Sequence, residues 1–71
     1  GSIFLSGDYS ASIERGMRAK VTSGFAAGNI VDVITAIYDA NSRTTQVVYD
    51  ASTNSNHLGT DGNIISFYWP F

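Results

Sequence analysis

The chain has no cysteine and only one each of proline, methionine, tryptophan and histidine. Without cysteine there is neither a disulfide framework nor a thiolate metal site, and cysteine use carries no information on the redox compartment. Cations are scarce as well: four Lys and Arg stand against six Asp and Glu, for a net charge of −2. With Arg15, Arg18 and Lys20 close together and only Arg43 beyond them, no sustained basic face exists, which argues against nucleic acid as a partner. No apolar run approaches the ~20 residues that span a bilayer as a helix, and no signal peptide is visible. At 71 residues the chain reads as a single domain. At that size one core supplies only about 3–5 kcal/mol, so an oligomer, a docking partner or a membrane segment is expected to complete it. Gly1-Ser2 reads as a cloning remnant, and residues 1–7 as a lead in which Ile3, Phe4 and Leu5 precede a Ser6-Gly7-Asp8 turn.

What is present is a long stretch from Arg18 to Asn41, RAKVTSGFAAGNIVDVITAIYDAN, and its period decides the fold. Ile30, Val33, Ile34, Ile37 and Tyr38 fall at i, i+3, i+4, i+7 and i+8, one face of a helix. Ile13, Met17, Val21 and Phe25 recur every four residues, also one helical face. Asp8, Ser10 and Ser12 are credible N-caps for such a helix. Against it, Met17, Ala19 and Val21 alternate with Arg18, Lys20 and Thr22, and the β-branched Val31, Val33 and Ile34 favour strands. Both readings stand on the residues alone.

Downstream the pattern turns strand-like. Thr44 to Asp50 alternates, with Thr45, Val47 and Tyr49 on one face. A polar loop from Asp50 to Gly62 holds Leu58 as its one large apolar residue and ends on the Asp61-Gly62 turn signal. Asn63 to Trp69 is apolar and aromatic until Pro70 stops it, with so few polar residues that cover on both faces is expected.

The residues offer little chemistry. His57 lies in the polar loop with no carboxylate spaced to form a dyad. Asp50, Asp61 and Asn63 lack the alternating acids and closing Glu of a calcium loop. No serine sits in a glycine elbow, and the GFAAG run at 24–28 lacks the Lys and Ser/Thr of a phosphate loop. The expectation is therefore no catalytic residue, no cofactor and no metal. Phe67, Tyr68, Trp69 and Phe71 read either as core and edge packing or as an exposed platform for a sugar or another subunit.

RAKVTSGF at 18–25 is similar to the segment that follows the hydrophobic stem of type IV pilins, and TTQVVYD and GNIISFYWP resemble later sheet strands of that family. The resemblance implies an α+β fold, with one long helix over 8–41 packed on a small antiparallel sheet over 44–71. It also implies a structural, non-catalytic subunit of a cell-surface filament, whose partners are other copies of itself or related subunits. Membrane contact would come only through a stem absent from this sequence. The assembly interface expected on that reading comprises Ile13, Met17, Val21 and Phe25 with the cations Arg15, Arg18 and Lys20. The alternative is an all-β sandwich with strands over 11–22 and 30–39, in which GNIVDVITAIYD resembles a strand region of jacalin-type lectins. It implies a small extracellular module for a carbohydrate or other ligand, with Tyr68, Trp69 and Asp61 as the ligand surface.

Overall fold

Along Arg18–Ser23 apolar and polar residues alternate, and this two-residue period sets the local structure. Ala19 and Val21 are fully buried, whereas Arg18, Lys20 and Thr22 face solvent. A computed structural model describes residues 1–50, 58 and 62–71, and in them the chain forms five strands and no helix. The strands are β1 (Ser2–Ser6), β2 (Arg18–Ser23), β3 (Ile30–Asp39), β4 (Thr44–Asp50) and β5 (Ile64–Tyr68). They build one sheet in the order β1-β4-β3-β2-β5, and every neighbouring pair is antiparallel.

The α+β expectation is therefore corrected to all-β, the class of the alternative reading, although as a single sheet and not a sandwich. The helix expected over 8–41 is replaced by β2, β3 and their connections. Two features explain the misleading period. The first is a bulge in β3: Val33 pairs with Tyr49 and Thr35 with Val48, leaving Ile34 as an extra residue. Val31 and Val33 point inward before the bulge, and Ala36 and Tyr38, paired with Val47 and Thr45, do so after it. Since Ile30, Ile34 and Ile37 are exposed, the apparent helical stripe mixes residues from both sheet faces. The second is the Gly24–Gly28 turn between β2 and β3, closed by bonds from the Val21 amide to the Asn29 carbonyl (2.9 Å) and from the Gly28 amide to the Val21 carbonyl (2.8 Å). Gly24 has φ 110°, outside any helix, and a Cβ there would meet Asn63.

The pilin resemblance falls with the helix: RAKVTS is β2, and Gly24-Phe25 opens a turn. The helix through which assembly was expected is absent from the described residues, and the type IV pilus assignment built on it goes with it. The strand over Thr44–Asp50 is present as read, and the C-terminal strand covers Ile64–Tyr68. The two are not neighbours, because β3 and β2 lie between them. Nor is β5 covered on both faces, since it forms a sheet edge with Ile64 exposed. Residues 1–7, expected as a lead, include the other edge strand. Gly1 extends that ladder, its amine donating to the Tyr49 carbonyl at 3.0 Å.

The core lies on one face of the sheet. Ile3, Ala19, Val21, Val31, Val33, Val47 and Tyr49 come from the strands, and Ile13, Met17, Ala26 and Leu58 from the connections that cover them. Burying each Val, Leu or Ile side chain contributes about 1.5–3 kcal/mol. The connections thus take the place of a second layer on this face.

Candidate functional site

Among the described residues the inner face carries one polar side chain that is fully buried, Thr45. Its hydroxyl accepts from the Tyr9 amide at 2.9 Å and donates to the Gly7 carbonyl at 2.7 Å. These two bonds fasten the β1–β2 connection to β4. Asp8 shapes that connection: one carboxylate oxygen accepts from the Ser10 hydroxyl at 2.6 Å and the Ser10 amide at 3.0 Å. The hydroxyl first, and the amide after it, hold the Asp8 carboxyl below its ordinary pKa. Next, the amides of Ser12 and Ile13 both donate to the Tyr9 carbonyl, closing a single turn. The Glu14 amide reaches the Met17 sulfur at 3.2 Å, and the Met17 carbonyl accepts from the Val33 amide at 2.9 Å, leading into β2. The segment read as a capped helix start is thus a tethered loop lying across the inner face. Asp8 and Ser10 act as a turn pair instead of a cap.

That loop and the two edge strands enclose a cleft of about 450 Å³. Leu5 lines it from β1, Tyr9, Ser12, Ile13 and Met17 from the loop, and Asn63, Ile65 and Phe67 from β5 and the residue before it. Its walls are mainly aliphatic and aromatic. Asn63 is already engaged, its Oδ1 accepting from the Ala26 amide at 3.3 Å and its Nδ2 donating to the Leu58 carbonyl at 3.2 Å. It therefore braces the Gly24–Gly28 turn, Leu58 and the cleft together. Tyr9 and Ser12, both exposed, are with Asn63 the polar residues of the wall. A volume in the 300–1,000 Å³ range, apolar walls and a few polar groups are the attributes of a small-molecule site.

The residues singled out in the sequence are dispersed. Ile13, Met17 and Val21 are buried in the core, while Phe25, 73% exposed, stands in the β2–β3 turn. They form no common outward stripe. Arg15 lies in the turn before β2, and Arg18 and Lys20 are on the outer sheet face. Arg18 Nε meets Asp32 Oδ1 at 3.3 Å across β2 and β3. Both side chains are largely exposed, so this pair contributes no more than about 1 kcal/mol. Tyr68 pairs with Arg18 on that outer face. Trp69, 44% exposed, follows β5 with its ring 5.8 Å from Phe71 and tilted by 46°. Asp61 and His57 lie outside the described residues.

Of the expected interface, Ile13 and Met17 do line the cleft, joined by Leu5, Tyr9, Ser12, Asn63, Ile65 and Phe67, which the sequence reading had not assembled into a site. The local signal that was available is Asp8-Tyr9-Ser10, a turn pair, followed by Gly16, whose φ of 95° no helix accommodates. Among the described residues no group of three or more His, Asp or Glu gathers into a metal-binding cluster. The chain matches no protein-family model, and neither a curated protein nor a solved structure matches it. Its class is thus defined by fold and geometry alone: a one-sheet, five-stranded antiparallel β domain with an apolar cleft between its edge strands.

Proposed function

We propose that this chain is a non-catalytic binding module that holds a small, largely apolar, ring-bearing ligand in the cleft between β1 and β5. The observation that carries the reading is the lining itself: Leu5, Ile13, Met17, Ile65 and Phe67 supply apolar walls, and the Tyr9 and Ser12 hydroxyls supply polar contacts. A flat ring suits walls of this kind, since the Phe67 ring favours stacked or edge-to-face contact with another π surface. One or two polar substituents on the ligand meet the hydroxyls and fix its orientation. The described lining offers no carboxylate, imidazole or ammonium group for acid–base work, which favours holding over turnover.

The test is a titration of the ¹⁵N-labelled chain followed by amide chemical shifts, with indole as the apolar ring probe and methyl glucoside as the sugar probe. Indole is expected to give saturable shifts centred on Ile13, Met17, Ile65 and Phe67, and Ile65→Trp, which fills the cleft, is expected to abolish them. No saturable shift with indole, or shifts confined to Trp69 and Phe71 with the sugar, would contradict the reading.

A further inference from the structure

The hydrogen bonds of β2 show which backbone groups β5 leaves open. The Val21 amide donates to the Asn29 carbonyl and the Val21 carbonyl accepts from the Gly28 amide, so the backbone of Val21 is turned toward β3. The Met17 carbonyl is turned the same way, accepting from the Val33 amide. Backbone direction alternates along a strand, so Arg18 and Lys20 turn theirs toward β5, where they pair with Tyr68 and Ser66. The Thr22 hydroxyl donates to the Ile64 carbonyl at 3.2 Å, which puts Ile64 in the same set. Ile65 and Phe67 therefore point their amides and carbonyls away from β2, at the open edge of the sheet. Among the described residues none of these four groups has a hydrogen-bond partner.

The same two residues line the cleft. A strand laid along β5, about 4.8 Å from it, sets the side chains of its paired residues beside Ile65 and Phe67, in the cleft that Leu5 lines from β1. The other edge differs. Mutual bonds between Gly1 and Tyr49 turn Gly1, Ile3 and Leu5 toward β4, so the open groups of β1 belong to Ser2, Phe4 and Ser6, on the outer face and away from the cleft. Along β5 neither a charged residue nor a proline guards the edge against pairing. On its outer face Ser66 pairs with Lys20, which is exposed and has no carboxylate partner among the described residues. Ser66 is too short to screen that flexible lysine stem from the next strand position. An acidic side chain there is complementary in charge.

We infer, resting on the cleft reading above, that the ring held in the cleft belongs to an extended peptide that adds to β5 as a sixth strand, its aromatic residue on the cleft face and acidic residues on the outer face. The backbone groups of such a peptide recur every second residue, about 6.8 Å apart, the spacing at which Ile65 and Phe67 present theirs. The ladder supplies affinity and the aromatic residue supplies register, since a slip by one residue carries the ring to the outer face.

The probe is acetyl-Val-Glu-Trp-Glu-Val amide, added to the ¹⁵N-labelled whole chain and followed by amide shifts and amide hydrogen exchange. At a peptide concentration about ten times its Kd, exchange of the Ile65 and Phe67 amides is expected to slow about tenfold. Methylating the Trp nitrogen of the probe keeps its ring and charges but removes a ladder donor, and is expected to weaken binding about tenfold. Replacing both Glu by Lys is expected to weaken it about threefold, and Lys20→Glu to reverse that preference. Indole, run alongside, separates the two readings. Saturable indole shifts without peptide protection of Ile65 and Phe67 would overturn the peptide inference and leave the cleft reading standing. Undiminished protection with Ala in place of the probe's Trp would overturn both. Equal binding of the N-methyl probe, an unchanged charge preference in Lys20→Glu, or protection of the Ser2 and Phe4 amides in place of Ile65 and Phe67 would also overturn the inference.

Discussion

Ile3 and Phe4 are neighbours on β1, yet Ile3 is 7% exposed and Phe4 66%. The same contrast runs across the sheet. Inward positions hold Ala19, Val21, Val31, Val33 and Val47 beneath loops, while outward positions hold Phe4, Ile34, Ile37 and Ile64 in the open. Apolar character therefore does not by itself separate the faces. What separates them is cover: the β1–β2 connection, the Gly24–Gly28 turn and Leu58 lie over the inner face. The small β-branched residues beneath suit a layer that must close tightly against irregular backbone.

This comparison can be broken by substitution. Leu58→Ala, at a position only 1% exposed, is expected to cost about 2–5 kcal/mol, because its side chain is part of the buried core. In thermal unfolding that is a fall in midpoint of about 10 °C or more for a domain of this size. Thr45→Val keeps the shape of the side chain but leaves the Tyr9 amide and Gly7 carbonyl without their partner. It is expected to cost about 1–3 kcal/mol by urea titration. Ile37→Ser on the outer face is expected to change stability by no more than about 0.5 kcal/mol when measured at micromolar concentration. If Ile37→Ser cost as much as Leu58→Ala, the outer face would have a cover of its own and the contrast would collapse.

The contrast also explains how much was legible in the sequence. β4 and β5 could be read because Thr44–Asp50 alternates cleanly and Ile64–Tyr68 is bounded by turn signals and Pro70. β2 and β3 were masked by coincidence. Ile13 and Met17 sit in a loop and Val21 in a strand, and all three point into one core, so their four-residue spacing imitates a helix. In β3 the extra residue Ile34 shifts the alternation by one and places isoleucines outside on both sides of the bulge. Glycine was the better guide, since Gly16, Gly24 and Gly28 all take positive φ within the span read as helix.

The cleft was less accessible for a different reason. Its walls come from residues 5–17 and 63–67, which are far apart in the chain and come to line one cleft through a sheet whose strand order departs from chain order. Strand order is a tertiary outcome, and no local period encodes it. Ile13 and Met17 drew notice as apolar residues in need of a partner. That partner proves to be this chain's own sheet, with one side left open to the cleft.

The most direct test of the sheet order, on which both the cleft and the open face rest, is a set of cross-strand nuclear Overhauser contacts in the labelled chain. Backbone contacts joining Ile65 to Val21 and Phe67 to Ala19, together with contacts joining Leu5 to Thr45 and Ile3 to Val47, are the expected result. Helical i to i+3 contacts running through Arg18–Asp39, or β5 paired with β4 in place of β2, would contradict it.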